Sequence, residues 1–132
     1  MQTLQIKTTQ KVELIEITDK VSSVVSQSDI KEGFCHLFVP HTTAGILINE
    51  NADPSVRQDI EDALSRLVPA SAKYTHSEGN SPAHIKSSIV GCQTTIPIRD
   101  SHLELGTWQG IFFCEFDGPR TRQVWVSLLK LR

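Results

Sequence analysis

Residues 41–54 read HTTAGILINENADP, and the rest of the predicted fold is arranged around this stretch. The segment before it, Phe34 to Val39, is apolar on both faces and predicts a central strand, and Gly45 to Asn49 predicts the next one. Asp53 and Pro54 are typical of a helix start, because the aspartate accepts free backbone N–H groups and the proline has none to lose. Polar side chains therefore crowd the ends of rigid elements, where sites are commonly built.

Size and composition predict a single domain spanning residues 1–132. The chain is 39% hydrophobic and 21% charged, which is ordinary for a soluble globular protein. A net charge of −2 gives no basic surplus for binding nucleic acid or anionic lipid. No apolar run approaches the ~20 residues that span a bilayer, and residues 1–5 lack the pattern of a secretory signal. We expect no nucleic-acid or membrane partner.

The three cysteines, Cys35, Cys92 and Cys114, are well separated and form no Cys-x-x-Cys pair. An odd number of thiols argues against a disulfide framework. Each lies in a strand-like run, so we interpret all three as small buried apolar residues. Free thiols fit a reducing compartment, and we expect a cytoplasmic protein.

Helix signals occur in three segments. The first runs from Thr18 to about Gln27, with an apolar stripe at Val21, Val24 and Val25. A short helix is predicted over Ala83 to Ile89, because the preceding Ser-Pro pair repeats the helix-start pattern.

The clearest helix runs from Pro54 to about Leu67, before Pro69 stops it. The pairs Arg57–Glu61 and Asp62–Arg66 are spaced i,i+4, and we place both on solvated faces without a function. The predicted buried stripe consists of Val56, Ile60, Ala63, Leu64 and Leu67.

Strand patterns dominate the rest of the chain. The further predicted strands are Leu4–Thr8, Val12–Ile17, Cys92–Ile98, a short one at Leu103 and Leu105, Ile111–Phe116 and Thr121–Leu131. Gln10-Lys11 is interpreted as a tight connection between the first two, and Pro97 suggests an edge position. Many strands and no regular βαβ alternation predict an α+β fold, mostly an antiparallel, jelly-roll-like β-sandwich with two or three short helices.

Three of the five histidines have polar, glycine-rich or proline-flanked neighbours: His41, His76 and His84. Imidazoles from separate loops can converge on a divalent ion, and three protein ligands plus water is the usual open zinc arrangement. The spacing matches no zinc motif, so hydrogen-bonded structural histidines are the alternative. His36 falls on the other strand face, and we interpret it as structural.

Glu50 and Lys86 are candidate catalytic groups. The carboxylate could act as a general base, support a ligating histidine or bind a metal, and a cap is the alternative. Lys86 lies two residues after His84, so a regular helix turns the two about 200° apart. Lys86 would then reach the same site only from an irregular segment or from a neighbouring subunit, and a solvated lysine is the alternative.

A large aromatic and an amide stand between two glycines in residues 106–110. Trp108 could stack on a planar ring and Gln109 could hydrogen-bond it, whereas a core tryptophan at a tight bend is the alternative. Arg120 could bind phosphate or carboxylate as a fork, although surface arginines are commoner. Phosphate-loop and nucleophile-elbow motifs are absent.

At these residues the sequence resembles the YjbQ-like family, also known as secondary thiamine-phosphate synthases. The resemblance runs through HTTAG at 41–45, NEN at 49–51, DP at 53–54, AHIKSS at 83–88, LGTWQGI at 105–111 and EFDGPR at 115–120, with His76 and Gly91 between them. It covers nearly the whole chain. It implies a compact β-rich sandwich that assembles as a homotrimer.

The resemblance also implies a reaction, the joining of hydroxymethylpyrimidine diphosphate to thiazole phosphate with release of pyrophosphate. The departing pyrophosphate needs cationic stabilisation from a metal ion or from Lys86 and Arg120. A planar pyrimidine suits Trp108, and Thr42 and Asn49 join the expected substrate-binding residues. The alternative function is a non-catalytic trimer that binds a small anionic metabolite or a metal.

Overall fold

The computed structural model describes all 132 residues, which form eight strands and three helices. The strands are β1 (Gln2–Lys7), β2 (Glu13–Glu16), β3 (Gly33–Phe38), β4 (Ala44–Glu50), β5 (Gln93–Arg99), β6 (His102–Leu103), β7 (Gln109–Glu115) and β8 (Thr121–Lys130). The helices are α1 (Thr18–Ser26), α2 (Pro54–Leu67) and α3 (Ser81–Val90). No helix is both long and apolar enough to cross a lipid bilayer.

The strands form two sheets in which every pair is antiparallel. One has the order β1-β8-β3-β5-β6 and the other β2-β7-β4. The chain passes between the sheets at nearly every step, which is the wrapping of a jelly roll. The predicted fold class is confirmed. The interpretation of Gln10-Lys11 as a tight connection between paired strands is wrong. Strand β1 pairs with β8 and β2 pairs with β7, so this segment crosses from one sheet to the other.

Strand β3 has the central position that its apolar faces predict, between β8 and β5. Cys35 and Leu37 point into the main core, where both are fully buried. His36 lies on the face opposite Leu37, as predicted, and this face points away from the core; its Nε2 is 2.9 Å from the Gln93 side-chain oxygen. On the same face Phe38 stacks on Trp125, with ring centroids 5.7 Å apart.

Helix α1 matches its predicted stripe, because its buried residues are Val21, Val24 and Val25. All three join the core that the two sheets enclose. The Thr18 hydroxyl accepts the Ile111 N–H at 2.9 Å, which ties the first turn of the helix to β7.

Helix α2 has the predicted bounds, and the Asp53 carboxylate caps it by accepting the Ser55 N–H at 2.9 Å. Its buried stripe is narrower than predicted, since Leu64 is 8% exposed and Leu67 is 71% exposed. Leu67 lies at the last position of the helix and is left in solvent. Leu64 packs in a second core cluster with Phe112 of β7.

The expectation that Arg57 and Glu61 lie on a solvated face is wrong. Both side chains turn toward β2, where Glu61 Oε1 accepts the Leu14 N–H at 3.0 Å and Arg57 Nη1 donates to the Leu14 carbonyl at 3.4 Å. Because β2 is an edge strand, its outward backbone groups have no neighbouring strand. The two charged side chains therefore replace part of a missing strand.

The cysteines are all free thiols, as predicted. Burial raises the pKa of Cys35 to about 11 and also raises that of Cys114, so both stay protonated and inert. Cys92 differs from the expectation, because it precedes β5 and is only partly buried.

Replacing Leu64 or Leu67 with alanine tests the packing of α2. We expect Leu64→Ala to lower the free energy of unfolding by about 2–5 kcal/mol, because it opens a cavity against Phe112 and its neighbours. Leu67→Ala is the matched control and should change it by less than about 0.5 kcal/mol. Urea unfolding followed by circular dichroism measures both values, and equal losses would contradict the packing described.

Candidate functional site

Three adjoining surface depressions share Thr42, and together we call them the Thr42 cleft. The first has a volume of about 510 Å³, and its lining includes His41, Thr42, Arg120 and Arg122. The second, of about 520 Å³, includes His41, His84 and the hydroxyls of Ser87 and Ser88. The third has no apolar lining residue; it is lined by Thr42, Thr43, His76, Glu78, Asn80, His84, Asp117 and Arg120. The β3–β4 loop, α3 and the β7–β8 turn thus meet here.

The β3–β4 loop is held in place by its backbone. Ser87 Oγ, on α3, donates to the Thr42 carbonyl at 2.6 Å, and the Phe116 N–H donates to the Thr43 carbonyl at 3.1 Å. A Cβ at Gly45 would lie 2.7 Å from the Gly91 carbonyl oxygen, so only glycine lets β4 approach the end of α3 this closely. The β3–β4 loop is therefore fixed against α3 and the end of β7.

His41 replaces a strand partner for β8. Strand β3 pairs with β8 as far as Phe38 and Trp125. Beyond that pair, the Gln123 N–H of β8 donates to His41 Nε2 at 2.9 Å. Burial, and then the neighbouring Arg122, lower the pKa of His41, so the ring is neutral near pH 7. With Nε2 accepting, the proton lies on Nδ1, which is a donor.

A buried ion pair lies beneath the cleft. Glu115 is fully buried and Arg122 is 2% exposed. Arg122 Nε and Nη2 both donate to the Glu115 carboxylate, and Nη2 also donates to Thr43 Oγ1 at 2.8 Å. The carboxylate further accepts from the Thr8 hydroxyl at 2.8 Å and the Asp117 N–H at 3.0 Å. Burial opposes ionisation of Glu115, yet these hydrogen bonds together lower its pKa.

Neither partner of this pair was predicted as a site residue. The signal was present in the parity of β8, where Arg122 shares the inward face of Val124 and Val126. A charge on the buried face of a strand requires a charged or hydrogen-bonding partner. Glu115 is the one carboxylate within the apolar run of β7.

The three histidines predicted as metal ligands are only partly brought together. The rings of His76 and His84 meet edge to face with centroids 5.2 Å apart, and His76 Nε2 lies 4.0 Å from Glu78 Oε2. His41 shares a depression with His84, but its Nε2 already accepts from Gln123. No three His, Cys, Asp or Glu side chains are arranged to hold a metal ion. Within this chain His76 and His84 are thus the pair that adjoins, and a third metal ligand would have to come from a shift of side chains or from another copy.

Lys86 faces away from the cleft, as the spacing from His84 predicts for a regular helix. It is 6% exposed, so the alternative of a solvated lysine is wrong. Its amine lies over the Phe116 ring, 5.8 Å from the centroid. Burial, and then the charge of Lys11, lower the pKa of this amine.

The remaining predicted residues lie at the other end of β4. Glu50 pairs with Gln109 and Asn49 with Gly110, whereas the cleft adjoins Ala44. Six residues of strand separate the two ends by about 20 Å. One chain therefore does not bring these side chains to the cleft.

At this far end Trp108 is 63% exposed, so it does not fill the core. Gln109 Oε1 accepts the Gly106 N–H at 2.8 Å, which uses its acceptor to close the loop. The neighbouring Gly110 is needed for packing, because a Cβ there would lie 2.7 Å from Asn51 and 2.8 Å from Glu16.

Comparison with known proteins decides the family. Residues 2–131 match the family model described as UPF0047 protein YjbQ-like. The chain belongs to the YjbQ/UPF0047 family. Among curated members, a UPF0047 protein of Methanocaldococcus jannaschii is 58% identical over 95% of this chain and 91% of its own length. YugU of Bacillus subtilis is 46% identical over 98% of both chains.

Solved YjbQ-family structures share the fold closely. A Clostridium acetobutylicum member has a TM-score of 0.95 at 47% identity and covers 98% of this chain and 100% of its own. A Sulfolobus solfataricus protein described as of unknown function has a TM-score of 0.94 at 34% identity, covering 98% and 96%. The names of these relatives state no activity, so the geometry of the cleft carries the functional argument.

The His41–Gln123 contact predicts how stability depends on pH. Because folding lowers the pKa of His41, the unfolded chain binds more protons between the folded and unfolded values. The stabilisation is complete above about pH 6.5, the ordinary histidine value, and is lost as the pH falls toward the folded value. His41→Gln keeps a carbonyl acceptor but does not titrate, so its stability should fall less between pH 7 and 5. Thermal unfolding across this range measures the difference, and identical pH profiles would contradict it.

Proposed function

We propose that the Thr42 cleft binds a phosphorylated small metabolite and that the chain is a transferase acting on it. The observation that carries this proposal is the meeting of three separate chain segments, which place His41, Thr42, His84 and Arg120 around one polar cleft. Phosphate oxygens accept hydrogen bonds, and histidine, threonine and arginine side chains can all donate them. The loop that carries His41 and Thr42 is held by hydrogen bonds from Ser87 and Phe116, which suits a preorganised site.

The specific reaction proposed is the formation of thiamine phosphate. The thiazole nitrogen would form a bond to the methylene carbon of hydroxymethylpyrimidine diphosphate while the bond from that carbon to the diphosphate oxygen breaks. The pyrophosphate takes the electron pair, so its negative charge is what the site must stabilise. Arg120 and His84, which line the third depression together with Thr42, are the proposed groups for this task.

Glu50, Asn49, Trp108 and Gln109 enter this proposal only through a second copy of the chain. A homotrimer would have to place the far end of one protomer against the cleft of the next. Its formation is supported by the outer face of the larger sheet, where Phe38 and Trp125 are only partly buried and Leu129 is 64% exposed.

A trimeric binding protein without turnover is the second candidate. It is favoured by one observation, that both predicted catalytic groups lie outside the cleft of their own chain. Glu50 is at the far end of β4, and the Lys86 amine lies over Phe116. Such a protein would hold a phosphorylated metabolite with neither of these groups beside it.

The transferase proposal is tested with purified protein, hydroxymethylpyrimidine diphosphate and thiazole phosphate. We expect thiamine phosphate and pyrophosphate to form in equal amounts, measured by chromatography. His84→Ala should lower the rate at least tenfold, because it removes a donor to the leaving group. If a neighbouring copy places Glu50 beside the methylene carbon, its carboxylate would stabilise the positive charge that develops there as the diphosphate leaves, and Glu50→Gln should lower turnover at least tenfold with little change in substrate affinity.

The control for these variants is Asp59→Asn, at an exposed carboxylate of α2 that lines none of the three depressions, which should retain at least half of the wild-type rate. Binding of both substrates without product would favour the second candidate. Wild-type rates in both His84→Ala and Glu50→Gln would show that the reaction takes place elsewhere.

Zinc and the homotrimer are further parts of the proposal, and native mass spectrometry of untagged protein tests them together. We expect a species of three chains carrying one zinc ion per chain. Because three ligands do not converge in this chain, binding requires His76 and His84 to shift or a partner copy to contribute. His84→Ala should lose the metal mass while keeping the trimer mass. A monomer, or a trimer without metal after zinc is added, would refute the corresponding part.

A further inference from the structure

Arg122 holds its guanidinium in one fixed orientation. Nε and Nη2 are committed to the Glu115 carboxylate, and Nη2 also donates to the hydroxyl and the carbonyl of Thr43. The side chain is 3% exposed, so it has no room to adopt another rotamer. Any ligand that binds this group therefore meets a donor whose conformational entropy is already lost.

The third nitrogen, Nη1, has no partner within the chain. Buried side-chain nitrogen and oxygen atoms without a hydrogen bond are confined to Arg57 Nε and Asn80 Oδ1. Nη1 of Arg122 is therefore not sealed from solvent, and Arg122 lines the first depression of the Thr42 cleft. A charged group that is otherwise fully buried thus keeps one free donor edge at the cleft surface.

Arg120 and His41, which line the same depression, also have free hydrogen-bond donors. Arg120 spends Nε and Nη2 on Asp117, at 2.9 and 3.1 Å, and its Nη1 is also without a partner. His41 accepts at Nε2, so its Nδ1 is a donor. Every uncommitted side-chain nitrogen of the depression therefore donates, and the complementary ligand group is one with several acceptor oxygens.

We infer that Nη1 of Arg122 is the fixed anchor for a phosphate group in the first depression, with Arg120 and His41 as its companions and Glu115 as the positioning residue. This inference rests on the proposed function and names the part of the site that recognises the ligand. A phosphate group offers oxygens on several sides, which suits donors that arrive from β8, the β7–β8 turn and the β3–β4 loop.

The pairing with Glu115 decides what kind of recognition this is. Because the carboxylate neutralises the buried guanidinium, attraction at long range is weak, and recognition depends on short, directed hydrogen bonds. Geometry therefore discriminates between ligands more than charge does. A tetrahedral phosphate should therefore bind better than a planar carboxylate of comparable charge, and the pair can serve as probes.

Nuclear magnetic resonance of the arginine side chains tests the anchor directly. The Arg122 Nε–H, buried against Glu115, should exchange slowly and give a resolved signal. Titration with inorganic phosphate should shift this signal together with the Thr42 amide, and succinate at equal concentration should shift them at least tenfold less. Pyrophosphate should act at lower concentration than phosphate.

Two conservative variants test whether Nη1 of Arg122 itself binds the phosphate, rather than the positive charge of the side chain or the intact fold. Arg122→Lys keeps a cation opposite Glu115 but removes Nη1, and phosphate affinity should fall about tenfold or more. Glu115→Asp keeps the charge but shortens the support, so affinity should fall while the Arg122 Nε–H signal moves in the free protein. Arg99→Gln, at an exposed arginine of β5, removes one charge elsewhere and should bind phosphate as the wild type does. Circular dichroism establishes that each variant is folded.

The outcomes distinguish the anchor from the proposed function. Shifts at Thr42 and His84 without a shift at Arg122, or equal affinity in folded Arg122→Lys, would overturn the anchor and leave the cleft as a binding site. Binding of succinate as tight as that of phosphate would also overturn it. No shift in the cleft with phosphate, pyrophosphate or the two thiamine precursors would overturn both.

Discussion

The buried pair of Glu115 and Arg122 is the interaction on which the sandwich and the cleft both depend. Glu115 belongs to β7 in the smaller sheet and Arg122 to β8 in the larger one, so the pair ties the two sheets together. Taking two charges out of water is costly, and the cost is met only when their remaining donors and acceptors are satisfied. Here Thr8, Thr43 and the Asp117 N–H supply those contacts. Removing one partner alone typically costs about 3–5 kcal/mol.

Much of the fold could be predicted because its signals are local. The bounds of α2 follow from Asp53, Pro54 and Pro69, and the burial of α1 follows from the spacing of its valines. The errors concern relations between elements. Whether Gln10-Lys11 turns within one sheet or crosses between two depends on the partner strands, which no local pattern encodes. The inward turn of Arg57 and Glu61 likewise depends on β2 being an edge.

In the candidate site, too, local features could be predicted and relations between distant elements could not. His41, Thr42, His84 and Arg120 could be selected by residue type and context, and the fold does place them around one cleft. Glu50 belongs to the same sequence stretch as His41, but strand β4 carries it to the opposite end of the sheet. Arg122 was missed because a charged residue beside Arg120 and Thr121 resembles the polar end of a strand. Only the parity shared with Val124 indicates that it points inward.

The position of the cleft follows from a defect in the larger sheet. Strand β3 stops pairing with β8 after Phe38, and the chain leaves the sheet at Pro40 and His41. An N–H of β8 would be left unpaired there, and His41 Nε2 accepts it. Arg122, the adjacent residue of β8, lines the depression at the same point. The loss of ladder hydrogen bonds therefore creates the donor-rich surface, and the imidazole limits the cost by serving both the strand and the cleft.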